Sequence, residues 1–140
     1  MQAWFKRGLN SSKVSLMTIF KIFRTDEWQH FRATGVFSGS ADDLRDGFIH
    51  FSTEATLSGT LAKYFKDESQ IIIADVDNPS WGDDLKWEIS RGGASFPHLY
   101  TALYIDDVKA HWELAKAAGQ AWDLSEIEKA CEITFAQSDV

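Results

Sequence analysis

The run Ile71-Ile72-Ile73-Ala74-Asp75-Val76 constrains the fold most. It is apolar, rich in β-branched side chains and broken downstream by Asn78, Pro79 and Gly82, so it reads as a central strand. Upstream, Thr18-Ile19-Phe20-Lys21-Ile22-Phe23 alternates only loosely and reads as a buried strand. Thr25 then serves as N-cap of a short helix, with Asp26 and Glu27 in its first turn, Trp28 and Phe31 facing inward and Gly35 as its stop. Residues 36–46 carry the loop signals Ser38, Gly39, Ser40 and Asp42 and read as irregular.

Gly47 to Phe51 reads as a second strand, with Phe48, His50 and Ser52 on one side and Ile49, Phe51 and Thr53 on the other. Ser52 or Thr53 caps a following helix, with Glu54 in its first turn and Leu57, Leu61, Tyr64 and Phe65 forming its buried stripe. In 85–89, Leu85, Trp87 and Ile89 point inward and Lys86 and Glu88 outward, with Ser90 continuing the outward face. Gly92-Gly93 makes a turn, and Leu99 to Ile105 forms another strand led in by Pro97. Residues 108–114 fit a strand better than a helix, and a helix from Ser125 to about Cys131 closes the chain, with Ser125 and Glu128 as a capping box. Strand, helix, strand, helix and then mostly strands define an α+β fold with a largely antiparallel sheet and short flanking helices.

A chain of 140 residues suits one domain, expected over 17–140. Residues 1–16 carry Lys6, Arg7 and Lys13 without an apolar core, so they are no secretory signal and are expected to be a flexible N-terminal extension. No apolar run approaches the roughly 20 residues that span a bilayer, and a cytoplasmic address is expected. The net charge of −7 argues against DNA or another phosphate backbone as main partner. Cys131, the single cysteine, excludes an internal disulfide and a multi-cysteine zinc site, and its acidic neighbours favour an inert thiol. Six Trp, ten Phe and three Tyr supply large rings, either for the core or to line a pocket for a flat ligand.

Two polar-aromatic signatures carry the chemistry. In Gly47-Phe48-Ile49-His50-Phe51-Ser52-Thr53, a mid-strand histidine is costly unless both ring nitrogens find partners. His50 is then either a satisfied core histidine or, with Ser52, one wall of a ligand cleft. The N-terminus of the helix after Thr53 would offer amides to an anion. In Phe96-Pro97-His98-Leu99-Tyr100, His98 and Tyr100 share one face, and Glu88 beside Trp87 adds a carboxylate from a neighbouring strand. A two-histidine, one-carboxylate metal set of His50, His98 and Glu88 is weighed and set aside, because no close ligand pair such as His-x-His accompanies it. His30 and His111 read as solvated.

These residues resemble a known family. Ile19-Phe20-Lys21-Ile22, Trp28, the GFIHFST segment, Lys86-Trp87-Glu88 and FPHLY look like the bacterial and fungal family called domain of unknown function 952, over roughly residues 17–114. The resemblance implies a fold related to the ADP-ribosyltransferase superfamily, in which a split antiparallel sheet holds NAD in a cleft. It implies that His50 holds the NAD ribose and that Glu88 is the candidate catalytic carboxylate. In the His-His type that acts on RNA phosphate, His98 would pair with His50. Ser52, Thr53, Arg45, Trp87, Arg91, Phe96 and Tyr100 are the candidate ligand-binding residues, the aromatics around nicotinamide and the arginines toward phosphate. The expected function is therefore an NAD- or nucleotide-binding transferase. The alternative is a non-catalytic small-molecule binding module using the same His-lined cleft.

Overall fold

The computed structural model describes residues 18–135. In chain order its elements are β1 (Ile19–Phe23), α1 (Thr25–Thr34), β2 (Val36–Phe37), α2 (Ala41–Asp46), β3 (Ile49–His50) and α3 (Leu57–Tyr64). They continue with β4 (Gln70–Val76), β5 (Leu85–Ile89), β6 (Ser95–Leu99), β7 (Leu103–Tyr104), β8 (Val108–Ala115) and α4 (Ser125–Cys131). Every strand pair is antiparallel, in sheets ordered β1-β4-β8, β2-β7 and β3-β6-β5. The first and third sheets meet at a single bridge, where the Phe20 and Ser52 amides each donate to the other's carbonyl at 2.8 Å. The sheet is thus split, and the candidate site lies at the split.

β4 is central in the first sheet because both its faces are apolar. Ile72, Ala74 and Val76 join Phe23, Trp28, Phe31, Phe51 and Leu99 in one cluster, while Ile71 and Ile73 join Phe20, Leu57, Leu61 and Ile127 in another. Trp28 and Phe31 do face inward from α1. Phe23 contacts both, and its ring meets Phe37 edge-on at 5.0 Å. Complete burial of rings such as Phe23 and Phe31 contributes roughly 1.5–3 kcal/mol each.

Several expected boundaries move, each for a local reason. α1 is capped at Arg24, whose amide donates to Glu27 Oε1 at 2.8 Å, so Thr25 is its first residue rather than its cap. Residues 41–46, read as irregular, form α2. α3 starts at Leu57, because Thr53 and Thr56 bond each other and close a turn over Glu54 and Ala55 first. Tyr64 leaves the expected stripe and is half exposed.

Pro97 lies inside β6 rather than leading a strand over 99–105. The β3–β6 ladder pairs Ile49 with Leu99 and His50 with His98, then stops where Pro97 has no N–H to give. Leu85 packs on the core, but Trp87 is 43% and Ile89 71% exposed, against the inward placement expected of both. They sit on the outer half of an edge strand, past the reach of the clusters. β8 runs on to Ala115, and α4 has the expected ends without the capping box. Asp123 Oδ1 accepts from the Ser125 amide, and Glu128 instead accepts from the Phe135 amide. The expectation for residues 1–16 lies outside the described residues. No helix among them is long and apolar enough to cross a membrane.

Candidate functional site

The site is assembled around α2. Ser40 caps it, its Oγ accepting from the Asp43 amide at 3.2 Å while Asp43 Oδ2 accepts from the Ser40 amide at 2.9 Å. Gly39 precedes the cap at φ +135°, and a Cβ there would lie 2.8 Å from Asp43 Cβ. Gly47 ends the helix at φ +88°, turning the chain into Phe48 and β3. This tight turn brings His50 back over Asp43. The Asp43 Oδ1 accepts from the His50 amide at 3.1 Å and faces its Nδ1 at 2.6 Å.

Asp43 is only 2% exposed, and its counter-ion is Lys21, itself 5% exposed in the middle of β1. Lys21 Nζ donates to Asp43 Oδ2 at 2.9 Å and to the His50 carbonyl at 3.2 Å. Burial opposes ionisation of Asp43. The Lys21 charge and the hydrogen bonds from His50, Ser40 and Lys21 outweigh it and hold the carboxyl well below the usual carboxylate range. On the solvent side, His50 Nε2 lies 2.9 Å from Asp46 Oδ2, and Arg45 holds both Asp46 and Asp42. Hydrogen bonding to Arg45 leads the causes that lower the Asp46 carboxyl.

The second signature meets the first across the ladder. His50 and His98 are register partners, with ring centroids 5.5 Å apart. Phe48 lies against both, stacked at 4.0 Å on His98 and 4.7 Å from His50. Glu88 Oε1 receives His98 Nδ1 at 2.7 Å and the Tyr100 hydroxyl at 2.8 Å. Hydrogen bonds from His98 and then Tyr100 lower the Glu88 carboxyl. The same bond to Glu88, followed by burial, raises the Tyr100 hydroxyl. Each histidine therefore presents Nδ1 to a carboxylate, which fixes the ring plane.

A cavity of about 200 Å³ opens between these groups and the first sheet, its lining including Lys21, Arg24, Arg45, His50, Ser52 and His98. Ser52 and Phe96 line it, and Arg45 stands at its exposed rim. Glu88 and Tyr100 stand behind His98 instead of lining the space. Thr53 is buried in the turn before α3, and Trp87 projects from the other face of β5. Nothing is described of the Arg91 side chain. His30 and His111 are exposed, although His111 lies 4.8 Å from the Trp28 ring. Burial, followed by Asp75, raises the Cys131 thiol. Among the described residues no group of three or more His, Cys, Asp or Glu is placed to hold a metal ion.

Asp43, Asp46, Lys21 and Arg24 were not read from the sequence as site residues. Two signals pointed to the buried pair: the Ser40-x-x-Asp43 capping pattern and a lysine inside an apolar strand.

A split antiparallel α+β domain with a cleft walled by two carboxylate-backed histidines is the class defined by this fold and site. The family described as protein of unknown function DUF952 matches residues 22–111, and the chain belongs to it. Among solved structures, the crystal structure of protein CC0527 from Caulobacter crescentus is 41% identical, with a TM-score of 0.73 over 79% of this chain and 96% of that one. The solution NMR structure of the same protein gives 0.69 at 41% identity, covering 79% of this chain and 95% of that one. Among curated proteins there is no match.

Proposed function

We propose that the cleft binds a nucleotide of the NAD class and that the domain is an ADP-ribosyltransferase-like transferase. The observation that carries this reading is the pair of facing histidines, each backed by a carboxylate, on the wall of one cavity. The resemblance to the ADP-ribosyltransferase fold, with its split sheet and strand histidine, agrees with it. At about 200 Å³ the cavity takes one end of a dinucleotide, below the roughly 300–1,000 Å³ of drug-sized sites, so the remainder lies over the rim.

In this reading His50 and Ser52 hold the ribose hydroxyls, and Arg24 and Arg45 meet phosphate. The bond from ribose C1′ to the nicotinamide nitrogen breaks, and nicotinamide leaves neutral with the electron pair. An acceptor O–H or N–H then bonds C1′ and gives its proton to His98, which Glu88 orients. To reach His50 Nε2 and Arg45, an anionic ligand displaces the Asp46 carboxylate that now occupies both. Asp46 is thus an internal stand-in for the ligand.

Thermal-shift measurements with NAD, ADP-ribose and AMP test the reading. Ligand at a hundred times its Kd should add about 2.7 kcal/mol of stability. His50→Ala and His98→Ala should abolish the shift in a protein that still folds, and Asp46→Ala should enlarge it. Absence of a shift with every nucleotide overturns the proposal. Chromatographic detection of nicotinamide release separates the transferase from the second reading, a binding module. That second reading is favoured by one observation: Lys21, Arg24 and Arg45 are already paired with carboxylates. Stabilisation without release decides for the module.

A further inference from the structure

The outer edge of β5 carries two exposed large apolar side chains. Trp87 and Ile89 are 43% and 71% exposed on one face of this strand, and among the described residues no strand pairs with its outer side. Natural sheets blunt such edges with proline, bulges or charge, because free amides and carbonyls recruit another strand. Another open edge, that of β8, differs: its Trp112 and Leu114 pack against the second cluster.

Hydrogen bonds fix which groups β5 leaves free. The Phe51 amide donates to the Pro97 carbonyl at 3.1 Å, so Pro97 turns its polar groups toward β3 and away from Trp87, its partner on β5. The flanking bonds agree, Tyr100 N–H to the Asp84 carbonyl and Ser90 N–H to the Ala94 carbonyl. Lys86 and Glu88 therefore bond inward to β6, and Leu85, Trp87 and Ile89 point their backbone groups outward. The Leu85 amide is already taken by the Gly82 carbonyl.

We propose that β5 pairs antiparallel with β5 of a second copy of this chain about a twofold axis at Trp87. The segment Leu85-Lys86-Trp87-Glu88-Ile89 is self-complementary in that register. Trp87 meets Trp87 of the partner subunit, and Leu85 meets the partner's Ile89. The outward amides of Trp87 and Ile89 in each copy then face free carbonyls. Lys86 faces Glu88 of the partner subunit in a non-hydrogen-bonded pair, where opposite side chains approach most closely. The apolar pairs cover Trp87 and Ile89, and the charged pairs lie on the site face. Such an interface is isologous and closes on itself. It also completes the site, because Glu88, which holds His98, gains Lys86 of the partner subunit as a neighbour. The pairing does not depend on the nucleotide reading.

Sedimentation velocity on the full chain over a wide concentration series tests this, with circular dichroism melts as the control for folding. A reversible monomer–dimer equilibrium is expected. Ile89→Pro removes an outward amide and no bond to β6, so it should give a folded monomer. Lys86→Glu sets like charges opposite each other twice and should weaken the dimer at least about tenfold. The exchange Lys86→Glu with Glu88→Lys should restore it, and this register-specific rescue decides the matter if Ile89→Pro does not fold. A chain that stays monomeric throughout, a dimer indifferent to both single changes, or a charge exchange without rescue overturns the proposal.

Discussion

Replacing Asp43 by Asn tests whether one buried carboxylate organises the site. Its Oδ1 receives the His50 amide at 3.1 Å and faces the ring Nδ1 at 2.6 Å, and its Oδ2 accepts from Lys21 at 2.9 Å and the Ser40 amide at 2.9 Å. Asn keeps the shape but removes the charge and sets an NH₂ against donors. Lys21, 5% exposed, then loses its counter-ion. Breaking one side of a buried pair costs about 3–5 kcal/mol. For a domain of this size that lowers the melting temperature by about 10–17 °C.

The pH dependence has a definite sign. The folded-state carboxyl of Asp43 lies below its unfolded value, so its stabilisation is fully present above about pH 4 and fades as pH falls through the folded value. The gap between parent and Asp43→Asn, read from denaturant melts, should therefore be constant from neutral pH to about 4 and narrow below it. Adding Lys21→Met to Asp43→Asn should recover part of the loss, because no unpaired charge remains. A loss under about 1 kcal/mol at neutral pH, or a double variant as weak as the sum of the singles, would refute this account.

Two further outcomes follow from the same geometry. Gly39→Ala places a methyl 2.8 Å from Asp43 Cβ at a φ of +135°, so α2 must shift; the variant should lose about 1–3 kcal/mol in a thermal melt and lose whatever ligand response the parent has. In an ultraviolet absorbance titration Tyr100 should ionise above the ordinary tyrosine range, and Glu88→Gln should bring it back down; an unchanged curve would mean that the Tyr100–Glu88 bond does not persist in solution.

What was legible in the sequence was what local pattern encodes. The β-branched run became the central strand, Trp28 and Phe31 turned inward, and alternation paired His50 with Ser52 and His98 with Tyr100, while the β3–β6 register that sets the two histidines side by side came only from the fold. The site's deeper half was not legible, because it rests on contacts between segments far apart in the chain. Lys21 and Asp43 belong to a strand and a helix separated by α1 and β2, and only the folded chain lets each charge offset the desolvation of the other. Trp87 misled for the converse reason. Alternation assigns a residue to a face of its strand, and whether anything covers that face depends on the strand's place in the sheet. The same split explains why both signature histidines were found while their roles were not separated. His50 is held by Asp43 and masked by Asp46, both on the preceding helix α2, whereas His98 is held by Glu88 from the edge strand. A change at the α2 turn therefore acts on His50 first, and a change at the β5 edge acts on His98 first. If the two rings serve one ligand, loss at either place removes its binding; if they do not, the two sets of variants will separate.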